Sequence, residues 1–357
     1  MQSRKKTDRL DRPLKGSSLW VDAWKRLKKN KMAVISAVII LLYAFLSVFA
    51  GLLPIYSYKK QYLDHQYLPP SLNKTAGELL LVKKQNELLR EAIRQNRHEL
   101  NTEEKIKLEG LKKRIDEETV IINGKTIKIH ERRYWFGTDS LGRDLLARVI
   151  YGGQVSIAIG LIGTLVSVFI GITIGSIAGY MGGKVDYFLM RIVDIIYSLP
   201  YLLLVVIFMA LFGRNILNLF FALAIISWLT VARVVRGQII SLKNSEFVEA
   251  ARSIGAGTGR IIFRHLVPNT LGIIIVFATL RIPVFIMYEA FLSFLGIGVQ
   301  APYASWGSLV RDGVQGMSLY PWRLFFPAIA MVGFLFSMNF LGDGMRDALD
   351  PQSKNKL

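Results

Sequence analysis

Residues 32–53 read MAVISAVIILLYAFLSVFAGLL, an apolar run without one charged side chain. At about 1.5 Å of helix rise per residue it is long enough to cross roughly 30 Å of hydrocarbon. A cleavable signal has a shorter apolar region followed by a small-residue cleavage site, which Leu53-Pro54-Ile55-Tyr56 does not resemble. The run therefore reads as a permanent anchor. The basic stretch from Arg4 to Lys31 that precedes it holds that end of the span at the cytoplasmic face.

Five further apolar segments follow, at 156–180, 188–212, 216–235, 271–295 and 324–341. The sequence thus predicts an all-α polytopic membrane protein with six transmembrane helices. Its 357 residues are 52% hydrophobic, with a mean hydropathy of +0.36, more than a water-soluble chain needs. The net charge of +19 invites a nucleic-acid reading, but the basic residues cluster beside the spans and report topology instead. With the N-terminus inside, six crossings return the C-terminus inside, so both termini are expected to be cytoplasmic. The link at 236–268 then lies inside, where Arg236, Lys243, Arg252, Arg260 and Arg264 agree with it. Residues 54–153 lie outside; a segment of that length translocates regardless of its charge. The expected divisions are a tail with an interfacial helix at 1–31, the first span at 32–53, the outer segment, a permease core at 154–342 and a tail at 343–357.

Residues 17–29 place Trp20, Ala23, Trp24 and Leu27 on one helical face ringed by lysine and arginine, the pattern of a helix lying in the headgroups. In the outer segment, Leu81, Leu88, Leu89, Ala92 and Ile93 form one stripe and Leu108, Leu111 and Ile115 another. Asn101-Thr102-Glu103-Glu104 between them supplies an N-cap, which predicts two helices. Two β-prone runs then flank Asn123-Gly124, a hairpin signal. The insertion at 76–129 reads either as a solvated spacer or as a docking surface.

The inner link runs Glu246-Phe247-Val248-Glu249-Ala250-Ala251-Arg252-Ser253-Ile254-Gly255, and reaches His265 and Pro268 after a second helical stretch. Small residues at its centre admit a close neighbour, Gly255 suits a left-handed C-cap, and the second helix is expected to end before Pro268. Its spacing, Glu-Ala-Ala, then Gly, then His-x-x-Pro, resembles the EAA loop of ABC importer permeases. In that family the loop forms a coupling helix seated on the ATP-binding subunit. The resemblance assigns that role to Glu249, Ala250, Ala251, Gly255, His265 and Pro268.

A second stretch, Phe136-Gly137-Thr138-Asp139-Ser140-Leu141-Gly142-Arg143-Asp144, resembles the FGTDxLGRD segment of dipeptide and oligopeptide permeases of the C type (OppC/DppC-like). Asp139 is expected to N-cap a short helix lying at the outer interface just before the second span. Glu289 to Gly298, with Pro302 and Ser305-Trp306-Gly307, is similar to the end of the fifth span in the same family. The insertion is longer than that family leads one to expect.

Charges within spans are costly and face a bundle interior or a water-filled path. Arg191 and Asp194 are expected to pair. Arg281 and Glu289 are expected either to line a translocation path or to form a buried pair. Gly124-Lys125-Thr126 lacks the first glycine of a P-loop, and no HExxH, nucleophile elbow or dinucleotide fingerprint is present. His65, His98, His130 and His265 are scattered and predict no metal site; no catalytic residue is argued for.

The resemblance then implies a fold of the type I ABC importer permeases, in the bacterial inner membrane. It also implies that this chain binds no cofactor of its own, with ATP and Mg expected on two separate ATP-binding subunits. A second, homologous permease of the B type and an extracytoplasmic peptide-binding protein are expected to complete the assembly, with the lipid bilayer as solvent and no nucleic acid. Di- or oligopeptides are the implied cargo; nickel, opines or glutathione are the alternatives within the family. A channel or carrier subunit not coupled to ATP is the more distant one.

Overall fold

The computed structural model describes residues 19–122 and 125–349. Most of the N-terminal basic run, the Asn123-Gly124 turn and the tail from residue 350 lie outside the described residues. Helix α1 (Leu19–Lys29) exposes Trp20 and Trp24, buries Ala23, and leads into α2 (Lys31–Val48), which Asn30 caps through the Ala33 amide. Beyond α2 come α3 (Ala76–Arg94), α4 (Thr102–Glu117) and the antiparallel hairpin of β1 (Thr119–Ile122) and β2 (Lys125–Lys128). Thr75 and Asn101 begin the two helices with reciprocal capping boxes to Glu78 and Glu104. The side chains that α3 buries are Ala76, Leu79, Leu88 and Ala92, whereas Ile93 of the expected stripe faces out.

The membrane bundle consists of α5 (Leu145–Met181), α6 (Gly183–Tyr197), α7 (Tyr201–Phe212), α8 (Ile216–Leu242), α9 (Glu246–Ser253), α10 (Thr258–Arg260), α11 (Val267–Phe294), α12 (Trp306–Val314) and α13 (Trp322–Leu349). Five of the described helical stretches are long and apolar enough to cross a membrane unaided, and α6 with α7 forms a sixth, bent by 82°.

Three expectations need correction. The separate helix expected before the second span does not exist, because Asp144 caps one continuous helix of 37 residues, α5, through Leu146 and Ala147. The third span, expected as one segment over 188–212, breaks at Ser198-Leu199-Pro200. Proline removes an amide donor and pushes Leu199 out of the helical region, an effect the hydropathy reading passed over. The helix expected to stop before Pro268 runs through it. Residues Ile261–Leu266 widen into a π-helical turn that feeds α11 without a bend.

A glycine ladder holds the bundle. Gly171, Gly175 and Gly179 lie one turn apart on α5. A Cβ at each would meet Val231, the carbonyl of Ala232, and the carbonyl of Arg236 on α8. Contacts that advance in the same sense along both helices mean α5 and α8 run parallel. The chain must therefore recross the membrane between them, and α6–α7 is the only element between the two that can do so. The bent pair thus counts as a span, which keeps the expected total of six. At the other edge, Gly344 of α13 packs on Ala33 of α2, and Arg26 of α1 reaches the Ala348 carbonyl at 3.4 Å. The two ends of the described chain accordingly share one face.

Candidate functional site

That face also carries α9. Ser245 starts the helix: its carbonyl accepts from the Val248 and Glu249 amides at 2.9 and 3.1 Å, and its hydroxyl donates back to Leu242. The end is a Schellman closure. The Ala256 amide donates to Ala251 at 3.0 Å and the Gly255 amide to Arg252 at 2.9 Å, with Gly255 at φ +81. The left-handed cap expected at Gly255 is present.

Val248 and Ala251 root α9 among Val231, Val235 and Ile239 of α8 and Ile261, Leu266 and Ile274 beyond it. Arg252 leans over the Tyr180 ring near the end of α5 and bonds the Lys243 carbonyl at 3.3 Å. The helix is therefore bolted to the ends of α5, α8 and α11 together. Its other side is open: Glu246, Glu249 and Ala250 are exposed, Phe247 partly so, and Ile254 is 85% exposed. A Cβ at Gly255 would meet nothing. Ile254 is the residue the sequence reading missed. Its signal was a large apolar side chain directly before the capping glycine. His265 is half-buried and Pro268 exposed, so both belong to the joint behind the helix.

The opposite face carries the Phe136–Asp144 segment. Asp139 is no helix cap. One carboxylate oxygen accepts from the Leu141 and Arg143 amides at 2.8 and 2.9 Å. The other takes Arg143 Nε at 2.7 Å and Arg148 Nη1 at 2.6 Å. Burial acts to raise this carboxyl, but Arg148 and Arg143 overcome it and hold it below the usual range. Thr138 accepts from the Leu68 amide and donates to the His65 carbonyl. Gly142, at φ +68, lies so close to the Tyr62 carbonyl that no side chain fits there. Gly137 also has positive φ, and Phe136 stacks on Phe326 at 4.0 Å. The segment is a clasp tying the 62–68 loop, the head of α5 and α13.

Behind the clasp, two histidines that look scattered in the sequence meet. His65 bonds Tyr134 at 2.8 Å and His130 at 2.9 Å, and His130 bonds Glu118 at 3.0 Å. Burial, then His130 and Arg132, push the His65 pKa from 6.5 down to about 3. The folded cluster thus refuses a proton that the unfolded segment accepts. Its contribution is full above about pH 6.5 and is lost as pH falls towards 3. Asp144, pushed up to about 6 by burial, acts in the opposite sense, so a variant comparison is needed. Between pH 7 and 4.5, protease cleavage within 76–129 is expected to rise more steeply in the wild type than in His65→Gln. Parallel pH profiles would exclude His65 as the source.

The expected Arg191–Asp194 pair is absent among the described residues. Asp194 takes Arg233 of α8 at 2.6 Å, and Asp186 takes Arg236 through two bonds, while Arg191 donates to Tyr187. Arg281 and Glu289 do not pair either. Arg281 donates to the Ser227 carbonyl at 2.7 Å. Glu289 is fully buried and accepts from Ser293 and Ser305, each at 2.6 Å, with Ser156 at 3.5 Å. Glu289 thereby joins α5, α11 and the start of α12.

Comparison with known proteins bears on both faces. The family described as "Binding-protein-dependent transport system inner membrane component" matches residues 171–355, and "N-terminal TM domain of oligopeptide transport permease C" matches residues 18–70. The oligopeptide transport system permease protein OppC of Bacillus subtilis is 36% identical over 95% of this chain and 91% of its own. The dipeptide transport system permease protein DppC of the same organism is 37% identical over 98% and 91%. OppC of Haemophilus influenzae is 49% identical over 63% of this chain and 72% of its own length.

Proposed function

Because the chain belongs to the binding-protein-dependent inner-membrane permease family, in its OppC/DppC-type branch, we propose that α9 is the helix through which ATP hydrolysis on partner subunits drives its spans. The chain is a multi-pass permease subunit of an oligopeptide or dipeptide ABC transport system, a transport component and not an enzyme. Such a binding-protein-dependent system implies ATPase and binding-protein partners. Two ATP-binding subunits carrying ATP and Mg, and a second permease of the B type, complete our reading. In it the α9 face and both termini are cytoplasmic, and the insertion is extracytoplasmic.

The observation that carries the proposal is the two-sided build of α9. Val248 and Ala251 lock it to three spans, while Phe247, Glu249, Ala250 and Ile254 present an open apolar patch with acidic flanks. A push on that patch moves α5, α8 and α11 as a unit, and ATP shifts the bundle only by favouring one of its two arrangements. In this reading Glu249 and Ala250 form the contact, Ala251 is the small residue that roots the helix behind it, and Gly255 caps it, with His265 and Pro268 in the joint behind.

The chain has no cysteine, so single thiols report without background. Ile254→Cys is expected to cross-link to an ATP-binding subunit and to react with a membrane-impermeant maleimide only in inside-out vesicles. Ile106→Cys, on the exposed side of α4, is expected to react only in right-side-out cells. Labelling of Ile254→Cys from outside the cell would overturn both the orientation and the docking.

A further inference from the structure

A cavity of about 620 Å³ opens where α2 ends and α5 begins, lined by Gly51, Tyr58, Lys60, Lys128, Arg132 and Tyr151. We propose that it seats the phosphate of an acidic phospholipid headgroup. The site is separate from the coupling face and does not depend on which side of the membrane it occupies. It requires only that α2 and α5 meet there, which their shared contact with the cavity provides.

Position argues first. The residues just past the last turn of α2 are apolar and open: Phe49 is 42% exposed and Leu52 80%. A few residues on, Tyr58 stacks on Tyr151 at 4.2 Å, the amphipathic aromatic pair expected at headgroup depth. The mouth of the cavity therefore sits at the boundary, with Val48 and Phe45 of α2 and Leu52 just beyond it leaving a wall for acyl chains.

Charge argues second. Arg132 is only 7% exposed, and its guanidinium lies over the Tyr56 and Tyr62 rings, 4.7 Å from the centre of each. Its Nε has no hydrogen-bond partner, and it makes no salt bridge among the described residues. Asp144 feels this charge, but its oxygens are committed to the Leu146 and Ala147 amides. A buried cation without a salt-bridge partner is costly, and a planar guanidinium suits a phosphate in the two-pronged manner. Lys60 and Lys128 sit at the rim. Glu131, the one acidic side chain lining the cavity, lies 3.6 Å from Lys128 and is largely solvated, so the lining stays net positive.

The test uses the whole transporter in nanodiscs of phosphatidylglycerol or phosphatidylcholine, followed by native mass spectrometry of retained lipid. Lys60→Gln/Lys128→Gln changes two exposed side chains, so the fold is kept. Lys112→Gln/Lys113→Gln on α4 is the control of equal charge. The first pair is expected to lower phosphatidylglycerol retention about tenfold against the control, the effect of roughly two charges at an anionic surface. Arg132→Lys, which keeps the charge but loses the fork, is expected to fall in the same direction. Inorganic phosphate is expected to leave retention unchanged. Equal retention in both double variants overturns the site. Displacement of the lipid by inorganic phosphate, or retention that ignores headgroup charge, overturns the lipid as its occupant.

Discussion

Gly175→Val is expected to remove the folded chain from the membrane. Gly175 sits where α5 crosses α8, and a Cβ there would collide with the carbonyl oxygen of Ala232 while also touching Val235. The obstacle is backbone, so no rotamer change relieves it and the two helices must separate. Gly171 and Gly179 would lose their seats against Val231 and Ile239 in the same movement. In lipid, helices associate through close packing and not through hydrophobic expulsion, so a gap along this crossing takes away most of the attraction. Overpacking in a well-filled interior costs about 1–3 kcal/mol even where side chains can yield. Detergent-solubilised Gly175→Val is therefore expected to lack the protease-resistant core and to bring down no partner subunits. Gly237→Val is the control: it lies on α8, where a Cβ meets nothing within 4 Å. Equal accumulation of the two variants would mean that the ladder does not hold the bundle.

That ladder shows which features the sequence displays and which it hides. Spans were legible because twenty apolar residues have no other solvent. Gly171, Gly175 and Gly179 were equally visible as letters, but nothing in one strand of text says which helix they face. The break at Pro200 was legible and overridden by hydropathy. Asp139 illustrates a finer limit: aspartate suits an N-cap, but here its carboxylate is taken by Arg143 and Arg148, and Asp144 caps α5 instead. His65 and His130 meet through packing that joins distant segments, so their separation in sequence suggested two unrelated side chains. The α9 segment was the most legible part of the candidate site. Its cap, its small residues and its acidic start are all local. Ile254 escaped because an exposed isoleucine gains meaning only after Val248 and Ala251 are known to point the other way.

Gly255→Pro should separate folding from coupling. Proline fixes φ near −65°, whereas Gly255 stands at +81, and it deletes the amide that donates to Arg252. The Schellman closure opens, and Ile254 loses the position that the closure gives it. The damage stays local, because Val248 and Ala251 remain packed under α8 and a Cβ at 255 meets no neighbour. The spans are therefore expected to assemble, with peptide uptake in proteoliposomes falling at least about tenfold, the effect of losing roughly 1.4 kcal/mol of coupling. Glu249→Lys probes the same surface without touching the backbone. Its side chain is exposed, so reversing its charge leaves the fold unchanged and alters only what docks there. It is expected to reduce co-purification of the ATP-binding subunits and uptake together. If Glu249→Lys retained both, the acidic flank would have no part in docking. If Gly255→Pro also transported normally, the rigid end of α9 would be a structural stop and ATP would act on the spans elsewhere. The pair thus distinguishes a surface that recognises the partner from a lever that transmits its motion. The structure favours both in one helix: the residues that root α9 and those that face outward alternate along the same two turns.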